Sequence, residues 1–273
     1  MVELLKYEEI VNLPVDIWTK ERIGNKDVIK FEAFKNVNLI SFDLLDVNDM
    51  NIEDDKITIC QTKEKIYFIC ENQASLEKLK IQTQSNIHQD EELYTFFSHL
   101  LRTDFDKMDD LEASITEVEE MVLKGYQADY KGLIISIRKK LLRLKKYYEQ
   151  LSQIFDGVLE NENHFISEEN LRNFKLLARK SDRLISDVID LRDYITQVRE
   201  AYQSQTDIEL NRLMKIFTIV TVIFMPMTVI VGWYGMNLQL PEYSWKHGYL
   251  FVMILNVIIA ASLIVYFKKK KWF

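Results

Sequence analysis

The sequence predicts an α+β cytoplasmic domain followed by long helices and two C-terminal transmembrane helices, and three observations lead there. Runs rich in β-branched and aromatic residues lie near the N-terminus: VIKFEAF (28–34), NLISFDLL (38–45), KITIC (56–60) and KIYFIC (65–70). Gly and Pro number only seven and three in 273 residues. That excludes a turn-rich sandwich or barrel, which needs turn residues every ~8–12 positions. Two stretches without a charged side chain, 216–241 and 248–267, lie near the C-terminus.

Taken in order, residues 1–90 read as a small α/β domain with a largely antiparallel sheet, the helix-compatible QASLEKLKIQ (73–82) following the last strand. Cys60 and Cys70 fall on strands 57–61 and 66–70, joined by a short turn at 62–65. In a simple hairpin Cys60 faces Tyr67, so the expectation is two buried, reduced thiols and no disulfide. MVELLKYEEI has no apolar core of useful length, so no cleavable signal is expected.

Residues 91–165 read as a helical hairpin, with helical patterns over 90–124 and 128–160. The first is acidic at Asp104, Asp106, Asp109, Asp110, Glu112, Glu117, Glu119 and Glu120. The second is basic at Arg138, Lys139, Lys140, Arg143, Lys145 and Lys146, and antiparallel pairing of two solvated, oppositely charged helices explains both.

Residues 166–212 form a stalk. Ser167 is a good N-cap, Glu168 and Glu169 suit the positive end of the helix dipole, and no Gly or Pro follows until Pro226. A helix from 167 to near 235 would be about 100 Å long, with roughly 30 Å of it in lipid. The first transmembrane helix is assigned to 213–235, an external loop to 236–247, the second transmembrane helix to 248–267 and a basic tail to 268–273. Residues 209–273 hold seven Lys or Arg against two acids, a local charge of +5, so the first 208 carry −12 of the net −7. The lysines at 268–271 place both termini on the cytoplasmic side of the cell membrane. Trp233, Tyr234, Trp245 and Tyr249 then form an outer aromatic belt, and Tyr266 and Trp272 an inner one.

Seven-residue steps along the stalk and first span give Glu200, Asp207, Met214, Thr221 and Thr228, with the companion series Ser204, Asn211, Thr218, Met225 and Gly232. Together they make one stripe, polar or small where a coiled coil would be Leu-rich. Such residues let membrane helices pack closely. The functional alternative is that several copies surround a water-filled path with the stripe facing its axis, since one helix per subunit cannot enclose a pore. Glu200, Asp207 and Asn211 would then gather cations in rings, and Met214, Phe217 and Met225 would form apolar constrictions. No Asp, Glu or His lies within either span, which points away from a proton relay and towards conduction.

Between the spans the chain reads Tyr234-Gly235-Met236-Asn237, then LQLPEYSWKHGY. With the preceding MKIFTIVTVIFMPMTVIVGW and the closing YFKKKKWF, this resembles the CorA family of divalent-cation channels, whose signature is Gly-Met-Asn at the outer end of the first span. The resemblance is sharp over 210–273 and architectural over 1–209. It implies a funnel-shaped homopentameric channel in the lipid bilayer, passing Mg2+ and often Co2+ and Ni2+. LQLPE looks more like the magnesium branch than the zinc-transporting one. A ring of Asn237 amide oxygens with Gly235 carbonyls would accept hydrogen bonds from the waters of hydrated Mg2+, which that ion sheds reluctantly. Tyr234, Gly235, Met236, Asn237 and Glu242 make up the implied entrance, with Glu242 raising cation concentration at its mouth. At about 100 mV, interior negative, a divalent ion gains roughly 4.6 kcal/mol on crossing inward. No ATP is needed, and the sequence carries no Gly-rich phosphate loop.

The resemblance also implies regulation by intracellular divalent cations bound between subunits. Asp182, Asp187, Asp190 and Asp193 are the stalk candidates, facing acids such as Asp54, Asp55 or Asp90 of a neighbouring domain. No organic cofactor or nucleic acid is expected. A non-transporting receptor anchored by two spans explains the stalk but not the stripe or the YGMN turn. An enzyme is disfavoured because His88, His99, His164 and His247 are scattered without metal-ligand or nucleophile spacing.

Overall fold

Short β-branched and aromatic runs build a five-stranded sheet in the order β1-β5-β4-β3-β2. Its strands are β1 (Val2–Lys6), β2 (Phe31–Phe34), β3 (Val37–Leu44), β4 (Asp55–Thr62) and β5 (Ile66–Cys70). The computed structural model describes residues 2–25, 30–47, 55–72, 79, 88–124, 130–237, 245–270 and 272. The segment 73–82, read as helix-compatible, lies outside the described residues apart from Leu79. Every strand pair is antiparallel except β1 with β5, where Leu4 stands opposite Phe68.

Both faces of the sheet are covered. Val37, Leu39, Cys60, Tyr67 and Ile69 join Ile10, Leu13 and Ile23, which come from the 3-10 turn Tyr7–Asn12, the residue after it and α1 (Ile17–Gly24). On the other face Phe42 and Phe68 meet Phe96 and Phe97 of α2 (Gln89–Leu100), and the ring cluster continues to Phe155 and Phe174. This double cover is why β5 is buried along its whole length and reads as a continuous apolar run. Cys60 is paired with Tyr67, as the short turn implied, and both cysteines are buried and unlinked. Burial pushes the Cys60 thiol up to about 12 and the Cys70 thiol up to about 11.

The helical pattern over 90–124 is not one helix. It breaks at 101–103 into α2 and α3 (Asp104–Lys124), at a point with no Gly or Pro. The break is a tertiary decision: the Lys180 ammonium donates to the Leu101 carbonyl, and the Leu101 side chain is fully buried. The next helix, α4 (Tyr130–Glu160), buries Ile134, Ile137, Leu141, Leu144, Tyr148, Leu151, Phe155 and Val158 at helical spacing. The side of α3 that packs inward is apolar. Met108, Leu111, Ile115, Val118 and Val122 of α3 are buried, and Lys107–Asp110, Lys124–Glu120 and Lys145–Glu149 are ion pairs each within one helix.

At Gly157 α4 comes so close to β2 that a Cβ would sit 2.4 Å from the Phe31 ring. The Asn163 amide donates to the carbonyls of Phe34 and Val37 and to Asn38 Oδ1, pinning the loop after α4 to the β2–β3 hairpin.

The helix α5 (Glu168–Tyr234) starts at the expected cap, where the Asn170 amide donates to Ser167 Oγ at 3.4 Å. The chain forms two compact units, Met1–Glu200 and Ala201–Phe273, and the division falls within α5. In the first unit α5 buries Phe174, Leu177, Leu184, Val188, Leu191, Ile195 and Val198. In the second, Ile219 is the only buried residue among those described from 201 to 237. Asn256 and Phe267 are the buried residues of α6 (Gly248–Lys269).

Candidate functional site

Among the described residues two helices, α5 and α6, are long and apolar enough to cross a membrane. Met214, Phe217 and Met225 are 64%, 67% and 65% exposed, an apolar surface too large to leave in water. Ser204, Asp207, Asn211, Thr218, Thr221, Thr228 and Gly232 are exposed as well, and so is Glu200, the last residue of the first unit. The stripe therefore runs along a helix face left exposed by the described residues of the second unit.

The threonines answer part of their own polarity. Thr218, Thr221 and Thr228 donate to the carbonyls of Met214, Phe217 and Phe224, four residues back, at 2.8–2.9 Å. Each hydroxyl keeps lone pairs that a water can use while its proton is satisfied in lipid or in protein.

At the end of α5 the Gly235 amide donates to the Val231 carbonyl at 2.8 Å and the Met236 amide to the Trp233 carbonyl at 3.3 Å. A Cβ at Gly235 would press on the Val231 oxygen at 2.9 Å. The last carbonyls of a helix carry its partial negative charge, so this end attracts cations. Met236 and Asn237 are exposed beside it. A cavity of about 540 Å³ lies between Val231, Tyr234, Gly235, Trp245, Lys246, Gly248, Tyr249 and Val252. Glu242 lies outside the described residues.

In the first unit, Asp187 and Asp190 of α5 line a cleft of about 610 Å³ with Asp109 and Glu112 of α3, together with Phe105, Met108, Arg183, Leu191 and Tyr194. Asp109 and Glu112 also border a second groove with Thr116, Glu117 and Glu120. The other two stalk candidates are elsewhere: Asp182 accepts from Ser152 Oγ at 2.9 Å, and Asp193 lies 3.7 Å from Arg192. Asp55 accepts from the Asn72 amide and Asp90 from the Ser167 amide. Burial opposes ionisation of Asp90, yet its bonds from Ser167 and Asn170 hold the carboxyl below its usual range. Asp54 lies outside the described residues. Among the described residues, no three His, Cys, Asp or Glu side chains of this one chain are grouped to hold a metal.

One residue counted with the acidic face is not on it. Asp104, the first residue of α3, is 1% exposed, and burial pushes its carboxyl up to about 6. Its place before the aromatic Phe105 gave no warning, because burial here depends on α4 and α5, far along the chain.

The family model described as CorA-like Mg2+ transporter protein matches residues 5–269. The cobalt/magnesium transport protein CorA of Thermotoga maritima is 30% identical over 181 residues, covering 66% of this chain and 52% of that relative. The chain thus matches about half that protein's length. The complete structure of the CorA magnesium transporter from Methanocaldococcus jannaschii superposes with a TM-score of 0.80 at 23% identity, covering 98% of this chain and 88% of that one. The ZntB cytoplasmic domain from Vibrio parahaemolyticus superposes with a TM-score of 0.59 at 10% identity, over 72% and 82% of the two chains.

Proposed function

This chain belongs to the CorA-like Mg2+ transporter family, and from that premise we propose that it assembles as a homopentamer whose α5 helices line a passive channel for Mg2+, with Co2+ and Ni2+ as further cargo. The observation that carries the reading is the Gly235-Met236-Asn237 turn, whose Gly235 and Met236 amides donate to the last carbonyls of an apolar helix, the first of two, in a chain that matches the family over residues 5–269. In the pentamer the helix ends and the Asn237 amides form a ring that binds the hydrated ion through its waters. Tyr234, Met236 and Glu242 complete the entrance on the outer side, and both termini are cytoplasmic.

Below the entrance the stripe lines the path. Thr228, Thr221 and Thr218 offer lone pairs to the ion's hydration shell, Met225, Phe217 and Met214 narrow it, and Asn211, Asp207, Ser204 and Glu200 concentrate cations at the inner mouth. The membrane potential supplies the driving force, so the protein moves its substrate without converting it.

Regulation belongs to the acidic cleft. Asp109, Glu112, Asp187 and Asp190 repel one another across α3 and α5, with Arg183 offsetting only part of the charge. A hydrated divalent ion seated there draws the helices together and favours the closed channel. Asp182 and Asp193 remain available for contacts with a neighbouring subunit.

The test is Mg2+ uptake into vesicles holding the purified protein, with Co2+, Ni2+ and Zn2+ offered in the same assay. Asn237→Ala is expected to abolish Mg2+ uptake while the oligomer survives. Unchanged uptake in that variant removes Asn237 from the selective site, and a Zn2+ preference would move the chain to the zinc-transporting branch.

A further inference from the structure

Two faces of the first unit are opposite in charge and alike in length. On α4, Ile135, Arg138, Lys139, Leu142 and Lys146 follow one another at helical spacing, all exposed, Ile135 at 45% and Leu142 at 55%. Arg138, Lys139 and Lys146 are in no ion pair among the described residues. On α3, a groove of about 510 Å³ is lined by Asp109, Glu112, Glu117 and Glu120, with the small side chains of Ala113 and Thr116 between them. Each face runs over three turns of helix.

The faces also stand at one height. Arg183 stacks on Phe105 at 5.2 Å and the Tyr194 hydroxyl meets Thr116 and Glu119, so α3 runs parallel to α5. The Phe155 ring lies 6.2 Å from that of Phe174, and Ser181 Oγ donates to the Tyr148 carbonyl, so α4 runs antiparallel to α5. With one rise per residue in all three helices, the groove is level with about residues 187–198 of α5 and the basic face with about residues 183–194. Rotation about an axis along the stalks leaves height unchanged, so surfaces that meet between copies in a ring must be level with one another. Two different faces that fit each other make a head-to-tail contact, the kind that closes rings.

We propose that the basic face of α4 docks in the acidic groove of α3 on the next copy of this chain, the contact repeating around the ring. Ile135 and Leu142 cover the stretch around Ala113 and Thr116, as an amphipathic helix does in a groove, and the three bases meet the carboxylates. Exposed ion pairs contribute little each, so the contact sets register and partner choice more than it holds the ring together. Asp109 and Glu112 border both this groove and the cleft between α3 and α5, so the docked helix lies alongside that cleft. The proposal rests on the homo-oligomer of the reading above and adds to it a surface outside the membrane spans.

The test uses the full chain without divalent cations, carrying Ala113→Cys and Leu142→Cys together, with a short bis-maleimide as the probe. Cys60 and Cys70 are buried and do not compete. Coupling between copies should give a ladder of bands up to the full ring on a denaturing gel, and neither single-cysteine variant should give one. Arg138→Glu with Lys139→Glu should lower the yield roughly tenfold, and adding Glu117→Lys with Glu120→Lys should restore it. An equal yield in the charge-reversed chain, or dimers from Leu142→Cys alone, overturns the contact. So does the absence of a ladder from a chain whose mass in solution is that of the ring, which leaves the transport reading standing. A ladder in a protein that passes no Mg2+ into vesicles supports the contact and overturns the transport reading, and a monomeric unaltered chain overturns both. If the cysteine variants do not assemble, carbodiimide treatment of mixed rings of unaltered and isotope-labelled chains decides. An amide joining Lys139 or Lys146 to a groove carboxylate of the other chain supports the contact, and coupling only within one chain overturns it.

Discussion

Tyr194 of α5 donates its hydroxyl to the Glu119 carboxylate of α3 at 2.6 Å, and Thr116 Oγ1 lies 3.2 Å from the same hydroxyl oxygen. The contact stands beside the acidic cleft, so it ties α3 to α5 where four carboxylates line the space between them. Tyr194→Phe keeps the ring and removes the bond. It should cost about 1 kcal/mol in denaturant unfolding of the first unit, in the range for one partly exposed bond to a charged group. An unchanged midpoint would mean that water replaces the phenol without loss.

Replacing Asp187 and Asp190 together by Asn removes two of the four charges that line the cleft. Protease resistance of α3 should then need at least about tenfold more Mg2+, within the usual span of coupling between a ligand and a conformational change. If the double variant keeps the Mg2+ dependence of the unaltered protein, the cation acts elsewhere.

Gly157→Ala sets two effects against each other. Alanine favours the helix by about 1 kcal/mol, but its Cβ would meet the Phe31 ring at 2.4 Å. Overpacking of this kind costs roughly 1–3 kcal/mol, so the first unit should be destabilised overall. Phe31→Leu in the same chain should recover much of the loss, because it shortens the side chain in the way.

The two thiols should resist modification in the folded protein. Burial holds them at about 12 for Cys60 and about 11 for Cys70, so neither forms much thiolate near neutral pH. Maleimide labelling at about pH 8 should therefore be slow and should rise sharply in denaturant. The unfolded chain loses these protons at a lower pH than the folded one. Their contribution to stability is thus fully present below the ordinary thiol pKa of about 8.5 and declines as pH rises through about 11 to 12.

Local chemistry explains what was readable beforehand. A short turn and a two-residue period were enough to place Cys60 opposite Tyr67, since strand register follows from both. Ser167 before two glutamates marked the start of α5 because an N-cap is satisfied within its own first turn. Strand β1 escaped notice because its only partner, β5, is parallel and lies some sixty residues further on, so its pairing leaves no nearby turn signal. The break at 101–103 escaped for a similar reason, its determinant being Lys180 on another helix.

By itself the sequence determined the two apolar helices, the stripe that runs along the first of them and the Gly-Met-Asn turn at its end. Those properties depend on composition and on neighbours a few residues apart. Tertiary structure alone decided that Asp187 and Asp190 face Asp109 and Glu112, and that Asp104 is buried while the acids after it stay in solvent. A charge pattern along one helix is the same whether a face meets water or another helix. Only the packing of α3 against α4 and α5 distinguishes a solvated carboxylate from a buried one.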